Sequence, residues 1–187
     1  MDVLLLEENG GRALLAERLA QAGCCVRARV EDPDALEEAA RAHADALLVV
    51  DVARPEHALL EQVAALARRR DRPLAVFVEH TDAESIRRAV RAGISSYVVR
   101  GAHADRLRDA LEVARARFLE ERALRSELHT AKTSLAHRKI IERAKGRLMQ
   151  QKGLDEQSAY AAMRSLAMRR QRRLVDVARA VLASGPR

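Results

Sequence analysis

Short apolar runs alternate with segments of helical periodicity over the first hundred residues of the chain. The apolar runs occupy residues 2–6, 24–30, 46–50, 74–78 and 97–99. Between them, apolar residues recur every three or four positions around residues 14–19 and over 33–43, 56–69 and 83–92. Strands and helices repeated in this order predict an α/β fold with a doubly wound parallel sheet. The uninterrupted apolar strands agree with this prediction, because they are typical of sheets that are covered on both faces.

A long helical pattern follows the last predicted strand. It begins near residue 106, where His103 or Asp105 can cap it, and no Pro or Gly interrupts it before Gly146. Its first apolar positions are Leu107, Leu111, Ala114 and Phe118. A heptad-like stripe among charged residues follows at Leu124, Leu128, Ala131 and Leu135. This stripe predicts a two-stranded coiled coil and therefore a homodimer, and the alternative is a solvated connecting helix.

Residues 138–187 predict a small all-α domain of three helices. Gly153 is the expected end of the first helix, and Asp155 is the expected N-cap of the second. A third helix is expected to start near Leu174. Tyr160 lies at helical spacing from Met163, so we expect it in the core of this domain. The chain is thus predicted to have three parts, at residues 1–105, 106–137 and 138–187.

Positive charge is concentrated in the third part. The whole chain has a formal net charge of +7, whereas residues 138–187 alone contain 13 Lys and Arg against 4 Asp and Glu. This asymmetry favours a polyanion partner for one end of the chain, and a solvated basic face is the alternative. Gly146 costs about 1 kcal/mol relative to Ala inside a helix. Close approach of a ligand or close packing between helices would explain its presence.

Several classes of function lack support in the sequence. It has no Ser/His/Asp set, no metal-spaced His/Cys cluster and no phosphate-binding loop, so we expect no enzyme and no required cofactor. The adjacent Cys24 and Cys25 cannot join distant segments, and no apolar run is long enough to span a membrane. We therefore expect a cytoplasmic protein without a membrane partner.

Acidic residues follow the first predicted strand and the third. In doubly wound sheets, ligands bind beyond the carboxyl ends of the strands. Those ends carry Glu7, Glu8, Asp51 and Arg100. Carboxylates that converge there would suit a divalent cation such as Mg²⁺, with Glu8 and Asp51 as its candidate ligands. Asp51 would also be placed as a possible phosphoryl acceptor.

The third part resembles an ANTAR domain, the RNA-binding module of AmiR- and NasT-type transcription antiterminators. The matching residues are Arg138, Ile141, Glu142, Ala144, Lys145, Gly146, Leu148, Met149, Gly153, Ala159, Tyr160, Arg164, Ala167, Met168, Arg172, Val177 and Ala178. From this resemblance and the basic clusters, the expected RNA-binding residues are Arg138, Lys139, Ala144, Lys145, Gly146, Arg147, Arg164, Arg169, Arg170, Arg172 and Arg173. The resemblance implies antitermination by binding to paired hairpins in a leader mRNA. It also favours the coiled-coil dimer.

Residues 1–118 resemble a response-regulator receiver domain, which has a flavodoxin-like fold. The resemblance places the phosphoacceptor at Asp51 and the acidic pair at Glu7 and Glu8. Two positions depart from the family pattern: Val78 stands where a hydroxyl residue is expected, and Arg100 stands where a lysine is expected. Arginine presents a planar fork instead of a compact point charge. We therefore expect a degenerate receiver that signals through protein contacts instead of phosphorylation.

The resemblance also implies a regulatory partner, which is either a kinase or a sequestering sensor protein. The altered receiver positions favour a sequestering partner, such as one of the nitrate/nitrite-sensor kind. The alternative function is that of a DNA-binding two-component response regulator, since a basic helical end after a receiver is common there. Against it, no clear helix-turn-helix with a polar recognition helix is visible around residues 151–155.

Overall fold

The structure is a computed structural model that describes residues 1–7, 14–99 and 107–184. It divides into two compact units, Met1–Arg122 and Ala123–Arg187. The division falls within the segment predicted as a linker, and the three-part boundaries remain a prediction. Among the helices that the structure describes, none is both long enough and apolar enough to cross a membrane.

The first unit is built on a five-stranded parallel sheet. Its strands are β1 (Asp2–Glu7), β2 (Cys25–Val30), β3 (Leu47–Val52), β4 (Leu74–Val78) and β5 (Ser96–Val99). Their order across the sheet is β2-β1-β3-β4-β5, and every neighbouring pair is parallel. The helices between them are α1 (Leu14–Gln21), α2 (Pro33–Ala42), α3 (His57–Arg70) and α4 (Ala83–Ala92). The predicted doubly wound α/β fold is confirmed.

Alternate residues of the strands pack on opposite faces of the sheet, as extended backbone requires. Leu4 and Leu6 face one core, which is covered by α2, α3 and α4. Val3 and Leu5 face the other core, to which α1 and the start of the long helix contribute. Both faces are therefore buried, which explains why the strands contain continuous apolar runs.

Helix α5 (Leu107–Lys152) is continuous over 46 residues. Its first turns contribute Leu107, Leu111 and Ala114 to the core of the first unit. The predicted caps His103 and Asp105 lie outside the described residues. Farther along α5, the predicted stripe is exposed, with Leu124, Leu128 and Leu135 at 56%, 55% and 56%.

The second unit is a three-helix cluster. It consists of the last part of α5 with α6 (Glu156–Arg169) and α7 (Leu174–Ala183), as the sequence predicted. Its buried core comprises Ala144, Leu148, Ala159, Met163, Ala167, Val177 and Ala178. Gly153 ends α5 in the left-handed region at φ +63°. The Asp155 carboxylate then accepts a hydrogen bond from the Ser158 amide at 2.6 Å and caps α6. This bond holds the pKa of Asp155 below its usual value.

Candidate nucleic-acid interface

The basic side chains of the second unit fall into two groups, anchored and unpaired. The anchored group begins with Lys145, which is only 8% exposed. Its Nζ lies 2.8 Å from Glu142 Oε2 and 2.7 Å from Glu156 Oε1. The two carboxylates raise the pKa of Lys145, and Lys145 in turn lowers the pKa of Glu156. Because Glu156 begins α6, this ion pair joins α5 to α6.

Arg147 is anchored at the other side of α5. Its guanidinium donates to the backbone carbonyl of Leu182 at 2.8 Å and also to that of Ser184. Carbonyls at the end of a helix lack partners within the helix, so Arg147 caps α7. Arg173 is also engaged, since its Nε lies 3.2 Å from Asp176 Oδ2. Arg147 therefore ties α5 to α7, as Lys145 ties it to α6.

The unpaired group is exposed and larger. Within the described residues, its members make no ion pair and no side-chain hydrogen bond. They are Arg138, Lys139, Arg143, Lys152, Arg164, Arg169, Arg170 and Arg172. Exposed cations without partners can neutralise the phosphates of a nucleic acid, whereas the charged groups of the anchored cations are already engaged within the unit.

Two small residues of the predicted RNA-binding set have different surroundings. Ala144 is fully buried in the core of the unit, so its side chain is not available for contact with a partner. Gly146 lies inside α5, and a Cβ built on it meets no atom within 4 Å. Packing between helices of this unit therefore does not explain the glycine. The space above Gly146 is open to a partner.

Tyr160 was expected in the core, and this expectation was wrong because the residue is 41% exposed. Ala159 and Met163 occupy the core positions of this stretch of α6, and they leave Tyr160 at the surface. Sequence reasoning also missed the exposure of Met168, which is 70%. The four-residue spacing of Tyr160, Arg164 and Met168 was the sequence signal that could have placed them together on one side of α6.

The first unit places two of the predicted acidic residues side by side. Glu7 and Asp51 are register partners on β1 and β3, and each is only 3% exposed. Asp51 lies at the carboxyl end of β3, as predicted, and is the penultimate residue of that strand. Arg29 of β2 donates from its Nε to Glu7 Oε2. Glu8 and Arg100 lie outside the described residues.

Of the two candidate Mg²⁺ ligands, the described residues include only Asp51, which lies beside Glu7. No three His, Cys, Asp or Glu side chains in this part of the chain come together in a suitable group. The end of β4 likewise carries no hydroxyl, since Val78 is its last residue and is buried. Thr81 lies farther on, with its hydroxyl 2.9 Å from that of Tyr97.

Comparisons with known proteins agree with this division of the chain. Residues 129–182 match the model of the ANTAR domain family. The transcriptional regulatory protein PdtaR of Mycobacterium tuberculosis is 32% identical over 181 residues, which is 96% of this chain and 88% of that protein. The nitrate regulatory protein of Klebsiella oxytoca is 39% identical over 72 residues, which is 38% of this chain and 18% of that protein.

Solved structures share the fold. The receiver domain of a modulated diguanylate cyclase from Desulfovibrio desulfuricans superposes with a TM-score of 0.53 at 24% identity, covering 64% of this chain and 97% of that one. The response regulator StyR superposes with a TM-score of 0.54 at 18% identity, covering 96% and 98%. These likenesses place the first unit in the receiver fold.

Proposed function

Because this chain belongs to the ANTAR-domain family of response regulators, we propose that it is an RNA-binding transcription antitermination regulator. It acts on paired hairpins in a nascent leader mRNA, and binding there prevents a terminator from forming. The observation that carries the proposal is the unpaired cationic surface on the unit that matches the ANTAR model. Binding is stoichiometric, so the mechanism needs no catalytic residue.

The structure changes which residues are assigned to RNA within this proposal. The RNA contacts come from the exposed, unpaired members of the predicted set, namely Arg138, Lys139, Arg164, Arg169, Arg170 and Arg172. Lys145 and Arg147 instead hold the three helices together, because their charged groups are already bound within the unit. Substituting either of them would disturb the fold of the unit before it removed an RNA contact.

A second copy of the chain is the proposed partner of the exposed stripe on α5. Leu124, Leu128 and Leu135 are each more than half exposed, and their heptad-like spacing suits a parallel helix of the same sequence. A dimer would present two three-helix units, which matches a target that has two hairpins. When two RNA-binding units are linked in a dimer, they bind a two-hairpin RNA more tightly than one unit binds one hairpin, even though neither unit makes a new contact.

Control through the receiver is proposed to depend on protein contacts. The pairing of Arg29 with Glu7 and the valine at the end of β4 support a receiver that does not depend on phosphorylation of Asp51. A sensor or sequestering protein, such as one of the nitrate/nitrite-sensor kind, would then hold the regulator inactive. Control of this kind does not require a bound Mg²⁺ ion.

Binding of the full-length protein to three nucleic acids tests the function. The probes are a two-hairpin RNA, a single-hairpin RNA and a DNA duplex of the same sequence, each titrated over salt. The Arg170→Ala variant should bind RNA less tightly and lower the slope against log salt by about 1, because one phosphate contact is lost. The charge-matched control is Arg91→Ala, which removes an exposed arginine from α4 of the first unit. Equal affinity for duplex DNA would overturn the proposal in favour of a DNA-binding regulator.

A further inference from the structure

Three residues form a stripe along the outer surface of α6. Tyr160, Arg164 and Met168 follow one another at intervals of four, so they lie along one side of the helix. Tyr160 is 41% and Met168 is 70% exposed. Arg164 between them is exposed and makes no ion pair with the described residues. The core of the unit is built from other positions of α6, so the fold itself does not require this stripe.

We propose that this stripe receives unpaired bases from the loop of an RNA hairpin, an inference that rests on the proposed function. A tyrosine ring offers a flat face on which any base can stack, and a thioether is polarisable and adapts to an aromatic surface. The planar guanidinium of Arg164 binds a phosphate or a guanine edge between the two stacked bases. The stripe therefore reads the loop, while the surrounding cations bind the backbone.

The charge around the stripe favours RNA as its occupant. Arg169, Arg170 and Arg172 follow Met168 directly, and all three are exposed and unpaired within the described part of the chain. Groups that stack on bases thus adjoin groups that bind phosphates. A protein docked on the stripe would have to supply an acidic rim opposite these arginines and opposite Arg164.

The length of the stripe suits a short loop. Eight positions separate Tyr160 from Met168, which corresponds to about 12 Å along a helix. A loop of a few unpaired nucleotides can therefore place one base on Tyr160 and another on Met168. Paired bases stack on one another and hide their faces, so a duplex stem cannot use the stripe. Unpaired loop bases are what the surface fits.

The test begins with selection of RNA hairpins from a library with randomised loops, using the full-length protein. Binding of a selected hairpin is then measured for wild type, Tyr160→Phe, Tyr160→Leu and Met168→Ala, and for the same hairpin with abasic loop nucleotides. Tyr160→Leu should weaken binding by roughly 5- to 150-fold, because a stacked base is lost. Tyr160→Phe should bind like wild type, because it keeps the ring. The salt slope should stay unchanged in all three variants, and Arg170→Ala should lower it.

The outcomes separate this inference from the function on which it rests. If hairpins are selected but Tyr160→Leu and Met168→Ala both bind them like wild type, the stripe does not hold bases, and RNA binding stands without it. If the abasic hairpin binds as tightly as the intact one, the inference is likewise overturned. If no hairpin is selected at all, the proposed function itself fails. Met168→Ala guards against misfolding, since its side chain is largely in solvent.

Discussion

Replacing Gly146 with alanine should stabilise the second unit and weaken its binding to RNA. The residue lies in the interior of α5, and its φ is not among the positive values that favour glycine. An added methyl group meets no atom within 4 Å, so the fold has room for it. Glycine in a helix costs about 0.5–1 kcal/mol relative to alanine, because the unfolded chain loses more conformational freedom. Gly146→Ala should therefore raise the free energy of unfolding by about this amount.

The expected change is large enough to measure by thermal unfolding. In a domain of this size, 1 kcal/mol corresponds to about 4–8 °C, so the variant should melt about 2–8 °C higher. The reverse substitution at exposed Ala136 of the same helix is the matched control. Ala136→Gly should lower the melting temperature by a similar amount and leave RNA affinity unchanged.

The second readout is the affinity for a selected hairpin RNA. If the open space above Gly146 is occupied by RNA, the added methyl group should weaken binding even as it stabilises the fold. A more stable variant with unchanged RNA affinity would refute the assignment of Gly146 to the interface. A less stable variant would refute the structural argument, because it would mean that the site is not open.

The remaining predictions concern an ion pair, the dimer and the receiver. Lys145 lowers the pKa of Glu156, so their pairing should stabilise the unit above the ordinary Glu value of about 4.5 and be lost as pH falls through the lowered value. Urea midpoints between pH 3 and 7 should therefore change less in Glu156→Gln than in wild type, and equal profiles would contradict this. Leu128→Asp should yield monomers in analytical ultracentrifugation and should reduce the affinity for a two-hairpin RNA to the single-hairpin value. A variant that remains dimeric would show that this face of α5 does not hold the dimer together. Acetyl phosphate with Mg²⁺ should leave the RNA affinity unchanged in wild type and in Asp51→Asn alike. A change seen only in wild type would show that phosphorylation of Asp51 controls RNA binding.

The regular elements were predictable because their signals are local. Each strand is a continuous apolar run, and the ends of α5 and α6 are fixed by Gly153 and Asp155, whose effects depend only on nearby backbone. The burial of Asp51 was not predictable in this way, because a polar residue at the end of an apolar run can be either buried or exposed. Hydrophobic periodicity and turn residues determine where helices and strands lie along the chain, but they do not determine which polar side chains become buried.

The candidate interface was less predictable because it depends on contacts between helices. Nothing local distinguishes Lys145 from Lys139, yet one is held by a carboxylate of α6 and the other is exposed. Tyr160 and Met163 share helical spacing, but the position of α6 against its neighbours decides which of them is buried. The charge count therefore pointed to the unit that matches the ANTAR model, whereas the role of each cation could be assigned only from its contacts in the folded structure.

The division between anchored and unpaired cations predicts how this unit tolerates sequence drift. Arg147 donates to two carbonyls at once, and a lysine cannot reproduce that fork, so the identity of this residue is constrained. Apart from Arg164, whose planar fork the stripe on α6 uses, the unpaired cations contribute mainly through charge. Lysine can therefore replace arginine at those positions, and a loss at Arg169 can be offset by a gain nearby. Related chains should therefore keep the anchors and Arg164 residue by residue, while the rest of the basic surface is preserved only as a total.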